Sequence, residues 1–198
     1  ANGYAEFKVK KNTSTGKWSI VQNIGDEEKP KFVLYTGTET SEEKELIRNI
    51  YNSNWGVVPE EITTQLNKVS KNNLYGEIIK IFMITASGAE GISLKDTRYV
   101  HIMEPYWNIS RVDQVIGRAV RYCSHKDVNK SRKYVNIYMY HSVHSKIKPS
   151  IDSYIYELAL KKQILINKFE KVLKQSAIDC QLNKIGNTDK KNKLICEK

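Results

Sequence analysis

Four short apolar runs, separated by polar or helix-forming sequence, constrain the fold of this chain more than any other feature. They occupy residues 31–35 (KFVLY), 77–85 (EIIKIFMIT), 98–104 (RYVHIME) and 133–141 (KYVNIYMYH). Runs of this length predict buried β-strands. Strands that alternate with helices or long crossovers form parallel sheets, so we predict an α/β fold with a parallel sheet flanked by helices.

Helix and hairpin signals lie between and before these runs. Thr40 precedes Glu43 by three residues, which is the capping-box pattern, and apolar residues follow it at helical spacing. A further helix is predicted over residues 111–121. Residues 5–9 and 18–22 are predicted strands on either side of the turn KNTSTGK.

The sequence changes character after Ser150, where apolar residues recur at helical spacing and lysines occupy the other positions. This pattern predicts one long amphipathic helix, whose apolar stripe we interpret as packing on the sheet domain or a partner domain in preference to a dedicated binding helix. We therefore divide the chain into an N-terminal hairpin and loop region (1–30), an α/β domain (31–146), a helical extension (147–182) and a polar tail that we expect to be disordered (183–198).

Composition limits the class of protein. The 198 residues carry a formal net charge of +10, which favours a polyanionic partner such as nucleic acid. No apolar run is long enough to span a membrane, and the N-terminal sequence lacks the apolar centre of a signal peptide. The three cysteines and four histidines show no metal-ligand or disulfide pattern. We therefore expect no metal site in the chain and an intracellular, reducing location.

The segment TASGAEG, residues 85–91, follows one of the predicted strands. Small residues let backbone N–H groups approach an anion closely, and the hydroxyls of Thr85 and Ser87 can donate to a phosphate oxygen. A tight turn that needs glycine for its backbone conformation alone is the alternative. The residues themselves leave both interpretations open.

The segment MEPYWN ends the predicted strand 98–104. Pro105 breaks the strand, and Tyr106 and Trp107 follow it as an aromatic pair. Such rings stack on nucleic-acid bases in some proteins and anchor hydrophobic cores in others. Core packing and a nucleic-acid contact are therefore alternatives for Trp107.

The segment QVIGRAVR has polar residues at spacings of four and three. These spacings put Gln114, Arg118 and Arg121 on one face of the predicted helix, with apolar residues such as Val112 and Ala119 behind them. In isolation this pattern is also typical of the solvated face of an amphipathic helix. Two arginines beside a glutamine nevertheless indicate an anionic ligand.

Residues 85–121 resemble motifs V and VI of superfamily 2 helicases and translocases, because TASGAEG, the intervening strand and QxxGRxxR follow in the family's order and at its spacing. The Trp-Asn pair after the strand is similar to the Swi/Snf-like branch. ITASGAEGISL and IGRAVRYCSH most resemble the nucleic-acid-dependent nucleoside triphosphatases of large cytoplasmic DNA viruses. The resemblance covers residues 31–141 and implies that the α/β domain is a RecA-like C-terminal, or second, lobe.

The resemblance implies roles for individual residues in the nucleotide site. The family's two motif VI arginines face the NTP phosphates, which implies that Arg121 is the arginine finger nearest the γ-phosphate and that Arg118 lies beside it. Gln114 corresponds to the residue that helps order the site. Glu90 and Gly91 correspond to the part of motif V that approaches the nucleotide.

The resemblance also implies a nucleic-acid grip. The end of motif V that holds a backbone phosphate corresponds to Thr85, Ser87 and Gly88. Further nucleic-acid contacts are implied at Thr36, Gly37, Trp107 and Asn108. One departure is Ser93, where relatives often carry Asp or Asn, and any ribose or inter-motif contact there is in doubt.

A motor of this family has a first lobe whose P-loop and acidic motif hold the phosphates and Mg²⁺. Neither motif is found here, since TSTGKWS has no Gly five residues before Gly16 and GDEEKP precedes a strand instead of ending one. We therefore expect a second lobe, trimmed at its N-terminus and inactive alone, that binds ATP with Mg²⁺ against the missing lobe of the same protein. The other implied partners are nucleic acid, in particular double-stranded DNA, and viral RNA polymerase or transcription factor subunits.

The implied function is the C-terminal lobe of a nucleic-acid-dependent ATPase that acts in viral transcription, in the virion or the host cytoplasm. A strand-separating RNA or DNA helicase is one alternative. A non-catalytic module that binds nucleic acid or a transcription partner is another. The combination of Gln114, Arg118 and Arg121 favours an enzyme, because phosphate binding alone does not need that arrangement.

Overall fold

The computed structural model describes residues 3–85, 91–146, 148–188 and 195–196. The chain forms two compact units, the first from residues 1–100 and 115–137 and the second from residues 101–114 and 138–198. Its strands are β1 (Ala5–Glu6), β2 (Lys8–Lys11), β3 (Trp18–Val21), β4 (Lys31–Tyr35), β5 (Ile81–Ile84), β6 (Tyr99–Ile102) and β7 (Asn136–Met139). Its helices are α1 (Ser41–Tyr51), α2 (Glu60–Leu66), α3 (Ile109–Ala119), α4 (Ile151–Ser176) and α5 (Cys180–Asn187).

A parallel sheet with strand order β1-β4-β5 lies in the first unit. Tyr35 at the end of β4 pairs with Ile84 at the end of β5, so both strands finish at the same edge of the sheet. The predicted parallel α/β fold is confirmed. One difference concerns β1, which joins this sheet by pairing Ala5 with Lys31 instead of forming part of the N-terminal hairpin.

The hairpin that we predicted near the N-terminus is formed by β2 and β3, which pair antiparallel. Asn12 organises the turn, because its side-chain oxygen accepts hydrogen bonds from the backbone N–H groups of Ser14 (2.9 Å) and Thr15 (3.1 Å). Gly16 supplies the left-handed conformation that closes the turn, with φ at +68°. Phe7, between β1 and β2, is buried in the core.

Helix α1 covers the sheet through an apolar face that includes the buried residues Leu46, Ile47 and Ile50. The predicted capping box is present: the Thr40 hydroxyl accepts from the Glu43 N–H at 3.2 Å, and the Glu43 carboxylate accepts from the Thr40 N–H at 2.9 Å. These bonds satisfy donors that the first turn of a helix leaves unpaired. The largest fully buried side chains of the core are Val33, Ile50, Ile62 and Ile79.

Strands β6 and β7 pair with each other in a second sheet. The Asn136 N–H donates to the Arg98 carbonyl at 2.8 Å, and the Tyr140 N–H donates to the Ile102 carbonyl at 2.9 Å. The offset between partners is the same in both bonds, so these two strands also run parallel.

The long C-terminal helix is confirmed as α4, a helix of 26 residues whose N-cap Ser150 accepts from the Ser153 N–H. Within the described residues, however, its apolar stripe is largely exposed, and only Ala159 on this helix is buried. Packing of the stripe on the sheet domain or on a partner domain stays a prediction.

The C-terminal region contains more regular structure than the sequence suggested. Helix α5 continues to Asn187, beyond the end of the predicted helical extension at residue 182. A disulfide joins Cys180 to Cys196, with a Cα–Cα distance of 5.7 Å. Our expectation of no disulfide was therefore wrong, because it rested on short-range spacing patterns and this bridge joins residues 16 apart. None of the described helices is long and apolar enough to cross a membrane.

Candidate functional site

Helix α3 carries two of the three polar residues predicted to face a nucleotide. Its apolar side holds Val112 and Ala119, which are both buried. Gln114 is exposed and Arg118 half-buried. The helix is therefore amphipathic as predicted, with Gln114 and Arg118 one turn apart.

Arg121 does not lie on this helix, because α3 ends at Ala119. The last helical hydrogen bond runs from the Val120 N–H to the Ile116 carbonyl at 2.9 Å. The expectation that all three polar residues share one helical face is therefore wrong for Arg121. Its exposed side chain turns back instead, and Nε donates to the Gly117 carbonyl at 2.9 Å.

The helix ends there because Ser124 satisfies the polar groups of its last turn. The buried Ser124 hydroxyl donates to the Ala119 carbonyl at 3.0 Å and accepts from the Arg121 N–H at 3.3 Å. Cys123 has a positive φ of 59°, which reverses the chain and makes these bonds possible. Ser124 thus fixes the backbone of Arg121, a positioning role that a generic Cys-Ser-His sequence did not reveal.

Arg118 has an unusual electrostatic environment. Its Nε is buried and has no hydrogen-bond partner within the described part of the chain. An unpaired buried donor on a charged group is unfavourable until an acceptor is supplied. An anionic ligand such as a phosphate would supply one.

The polypeptide that follows motif V is tied to the end of α3. The Leu94 N–H donates to the Arg118 carbonyl at 2.9 Å, and the Asp96 N–H donates to the Ser124 carbonyl at 3.0 Å. Leu94 and Ile92 are buried against Tyr35. The two predicted motifs are therefore coupled through backbone hydrogen bonds in the first unit.

Asn52, at the end of α1, also binds the polypeptide that follows motif V. Its side-chain amide donates to the Ser93 carbonyl at 2.9 Å, and its oxygen accepts from the Lys95 N–H at 2.8 Å. No pattern in the sequence indicated this role. Gly91 begins the described part of the segment with φ at +72°. The predicted site residues Ser87, Gly88 and Glu90 lie outside the described residues.

His125 and Asp96 complete this network. His125 Nε2 donates to the Thr97 carbonyl at 2.7 Å, so that ring nitrogen carries a proton. One carboxylate oxygen of Asp96 is buried without a partner in the described part of the chain. Burial raises the pKa of the Asp96 carboxyl above its ordinary value, against the opposing effect of His125.

Three of the predicted nucleic-acid residues, Thr36, Gly37 and Thr85, lie at the carboxyl edge of the parallel sheet in the first unit. Thr36 and Gly37 follow β4, and Thr85 follows β5. The Thr85 N–H donates to the Tyr35 carbonyl at 3.3 Å, which places the two strand ends side by side. In parallel sheets, ligands bind at this edge.

A carboxylate of the chain itself occupies the donors at this edge. Glu39 accepts from the Thr36 N–H at 2.7 Å, from the Thr36 hydroxyl at 3.0 Å and from the Thr38 hydroxyl at 2.9 Å. Burial pushes the pKa of the Glu39 carboxyl upward, but the hydrogen bonds from Thr36 and Thr38 outweigh it and leave the pKa below its ordinary value. This turn therefore holds the Glu39 carboxylate, and the nucleic-acid contacts of Thr36 and Gly37 stay a prediction.

Trp107 and Asn108 belong to the second unit. Trp107 is 49% exposed, so it does not serve as a buried core anchor there. Asn108 accepts from the Arg111 N–H at 2.9 Å, the bond that an N-cap residue makes with the first turn of a helix. The neighbouring Tyr106 ring lies 5.8 Å from the Arg111 guanidinium.

A Mg²⁺ site is not supplied by the described residues, which contain no group of three His, Cys, Asp or Glu side chains that could hold a metal ion. Arg118 and Arg121 are donors only, and their charges suit phosphate oxygens and not a metal. The two arginines can therefore contribute positive charge to a site that binds an anion.

Comparison with known protein families gives one match that covers more than half of the chain. The model of the helicase conserved C-terminal domain matches residues 16–123. The matched region contains β4 and β5 of the parallel sheet, α3 and both arginines, in agreement with the RecA-like α/β fold.

Curated relatives are proteins of large DNA viruses. A putative ATP-dependent RNA helicase of Acanthamoeba polyphaga mimivirus is 40% identical over 79% of this chain and 24% of its own length. Another putative ATP-dependent RNA helicase of that virus is 43% identical over 59% of this chain and 15% of its own length. A termination factor NPH-I homolog of African swine fever virus (isolate Pig/Kenya/KEN-50/1950) is 32% identical over 85% of this chain and 24% of its own length. The chain thus spans about a quarter or less of the length of these relatives.

Proposed function

The chain belongs to the helicase conserved C-terminal domain family, and from this we propose that it is the second RecA-like lobe of a nucleic-acid-dependent ATPase. In this proposal ATP with Mg²⁺ binds between this lobe and a first lobe of the parent protein, and the first lobe supplies the phosphate loop and the metal ligands. The chain contributes Arg118, Arg121 and Gln114 to the nucleotide, and Glu90 and Gly91 lie beside it.

The observation that supports the proposal most directly is the Nε of Arg118, which is buried at the end of an amphipathic helix and has no partner among the described residues. A guanidinium binds two phosphate oxygens at once, and it stabilises the negative charge that develops on the transferred phosphoryl group. Arg121 acts as the finger in this proposal. To do so its side chain must leave the Gly117 carbonyl, a single exposed hydrogen bond of 2.9 Å.

The nucleic-acid grip of the proposed motor consists of Thr36, Gly37 and the motif V residues Thr85, Ser87 and Gly88, with Trp107 and Asn108 as further contacts. A backbone phosphate would replace the Glu39 carboxylate at the donors of Thr36. Cycles of ATP binding and hydrolysis would close and open the two lobes, whose grips would alternate along the polymer.

We further propose that the parent protein acts in viral transcription as a translocase on double-stranded DNA. The relative named as a termination factor homolog supports that role. The relatives named as putative RNA helicases favour the second candidate, a strand-separating helicase on RNA. A strand-displacement assay on the parent protein, with DNA and RNA duplexes, distinguishes the two functions.

The experiment that tests the ATPase proposal measures turnover by this chain alone and by the chain joined to the upstream part of its parent, with and without DNA or RNA. We expect turnover only in the joined protein, with stimulation by nucleic acid. Arg121→Ala should lower that turnover by a factor on the order of 10³ and leave nucleic-acid binding nearly intact. Arg48→Ala is the control, because Arg48 makes only a surface ion pair with Glu45.

Other outcomes would contradict specific parts of the proposal. Turnover by the isolated chain would mean that it contains a complete site. An equal loss of turnover and binding in Arg121→Ala would contradict the finger assignment. Absence of turnover in both proteins would favour a non-catalytic module that binds nucleic acid or a transcription partner.

A further inference from the structure

A second group of positive charges lies at the opposite ends of the strands from the proposed grip. Tyr75 lies in the turn before β5, Arg98 directly precedes β6, and Arg132 ends a short 3₁₀ turn before β7. Thr36 and Thr85, by contrast, follow the carboxyl ends of β4 and β5. Tyr75, Arg98 and Arg132 all belong to the first unit.

The two arginines converge on one aromatic ring. The guanidinium carbons of Arg98 and Arg132 each lie 5.0 Å from the centroid of the Tyr75 ring. Cation–π attraction of this kind holds guanidinium groups in place and offsets part of the repulsion between them. The turn that carries the ring is itself fixed, because the Tyr75 N–H donates to the Glu77 carboxylate at 2.9 Å.

Neither charge is neutralised within the part of the chain that the structure describes. The ion pairs found there involve other residues, and neither guanidinium donates a hydrogen bond to a carboxylate. The acidic residues nearest in sequence are Glu77, Asp96 and Asp127. Arg98 acts on Asp96 only as a weak Coulombic influence, the last among the causes of its pKa shift.

Three lysines extend this pair of arginines. The segment KDVNKSRK, residues 126–133, carries Lys126, Lys130 and Lys133 beside Arg132, with Asp127 as its one acidic residue. The segment is held in a defined shape, because Val128 is buried and the Lys133 amine donates to the Lys126 carbonyl at 3.1 Å. The backbone that carries these charges is therefore ordered before any ligand arrives, which lowers the entropy lost on binding.

We propose that this basic surface, defined by Tyr75, Arg98, Lys126, Lys130, Arg132 and Lys133, binds the phosphodiester backbone of nucleic acid at a place separate from the motif V grip. Closely placed guanidinium and ammonium groups that form no ion pair among the described residues are suited to neutralise backbone phosphates. Nucleic acid is favoured over an acidic protein, because protein interfaces have an apolar centre and are depleted in lysine. The surface is cationic apart from Tyr75, so it lacks such a centre.

The test is a fluorescence-anisotropy titration of the full chain with labelled double-stranded DNA and, separately, single-stranded RNA over a series of salt concentrations. The variant R98Q/R132Q removes both guanidinium groups and keeps the Tyr75 ring. We expect weaker binding and a slope of log K against log salt that is smaller in magnitude by about 2, since each lost phosphate contact removes about 1. Comparison of the two polymers identifies which backbone the surface binds.

The matched control is K17Q/K68Q, which removes two exposed positive charges from other parts of the first unit. Its slope should stay close to that of the unmodified chain. A second variant, K126Q/K130Q, leaves the cation–π contacts in place and should also reduce the slope by about 2. It keeps the proposal testable if R98Q/R132Q does not fold.

Three results would overturn the proposal. One is a change in the slope of log K against log salt that is the same for the control as for both test variants. Another is a lack of measurable binding by the unmodified chain at low salt. The third is weaker binding of the variants to poly-glutamate with unchanged binding to both nucleic acids, which would assign the surface to an acidic protein. No nucleotide is present in the assay, so its result is independent of the ATPase proposal.

Discussion

Asn73 offers the sharpest test of the hydrogen bonds that hold the parallel sheet and α1 together. Its side chain is buried, and its amide donates to the carbonyls of Tyr51 and Ile79, both at 3.1 Å. Its oxygen accepts from the N–H groups of Ile78 and Ile79, both at 2.9 Å. One side chain thus joins the end of α1 to the chain entering β5, and we expect Asn73→Ala to destabilise the first unit strongly.

The magnitude follows from the groups that the substitution leaves unpaired. Ile78 and Ile79 are 3% and 0% exposed, so no solvent reaches their amides to replace the Asn73 oxygen. An unsatisfied buried N–H costs about 1–3 kcal/mol, and two of them give roughly 4 kcal/mol for Asn73→Ala. For a protein of this size, such a loss lowers Tm by about 8–16 °C.

The assay is urea unfolding of the chain followed by circular dichroism, with a thermal melt as a second measurement. Asn72→Ala is the matched control, because Asn72 is one residue away and its oxygen accepts a single hydrogen bond among the described residues, from the Leu74 N–H at 3.2 Å in a partly buried site. It should cost about 1 kcal/mol or less. If Asn73→Ala lowers the free energy of unfolding no more than Asn72→Ala does, the argument from buried hydrogen bonds is wrong.

Two further predictions concern the proposed grip. Because hydrogen bonds hold the pKa of Glu39 below its ordinary value, the carboxylate should contribute stability above the unfolded-state pKa and lose it as pH falls through the folded-state pKa. Glu39→Gln should therefore reduce the dependence of the unfolding free energy on pH in that acidic range. It should also raise nucleic-acid affinity at neutral pH in an anisotropy titration. Effects no different from those of Glu60→Gln would contradict this. Because Trp107 is 49% exposed, Trp107→Ala should lower the free energy of unfolding by less than about 1.5 kcal/mol and weaken nucleic-acid binding. A loss of about 3–5 kcal/mol would instead mean that Trp107 packs in the core.

Local patterns account for the parts of the fold that the sequence predicted correctly. The run KFVLY and the later run around IFMI are short and apolar, and they become the paired strands β4 and β5. The Thr40–Glu43 pair caps α1 as expected, because a capping box depends only on residues three apart. The parallel arrangement followed from the helices and long crossovers that separate the strands.

Features that depend on contacts between distant residues could not be predicted in this way. The end of α3 is fixed by Ser124 acting on Ala119 and Arg121, a hydrogen-bond pattern with no short sequence signature. Spacing alone therefore placed Arg121 on the helix. The side chain of Asn52 bonds to Ser93 and Lys95, which lie 41 and 43 positions further along the chain. The contacts of Arg98 and Arg132 with the Tyr75 ring are equally non-local.

Thr36 was predicted, from the resemblance, to contact nucleic acid, and that role stays a prediction. In the structure its backbone N–H and hydroxyl, together with the hydroxyl of Thr38, donate to the Glu39 carboxylate. A carboxylate and a backbone phosphate compete for the same donors, because each carries one negative charge shared by two free oxygens. Glu39 is only half-buried, so its carboxylate can reach solvent when a phosphate displaces it. A nucleic-acid phosphate must therefore bind the turn at Thr36 more tightly than the Glu39 carboxylate does. For this reason Glu39→Gln should strengthen nucleic-acid binding at that turn and leave binding at the basic surface around Tyr75 unaffected.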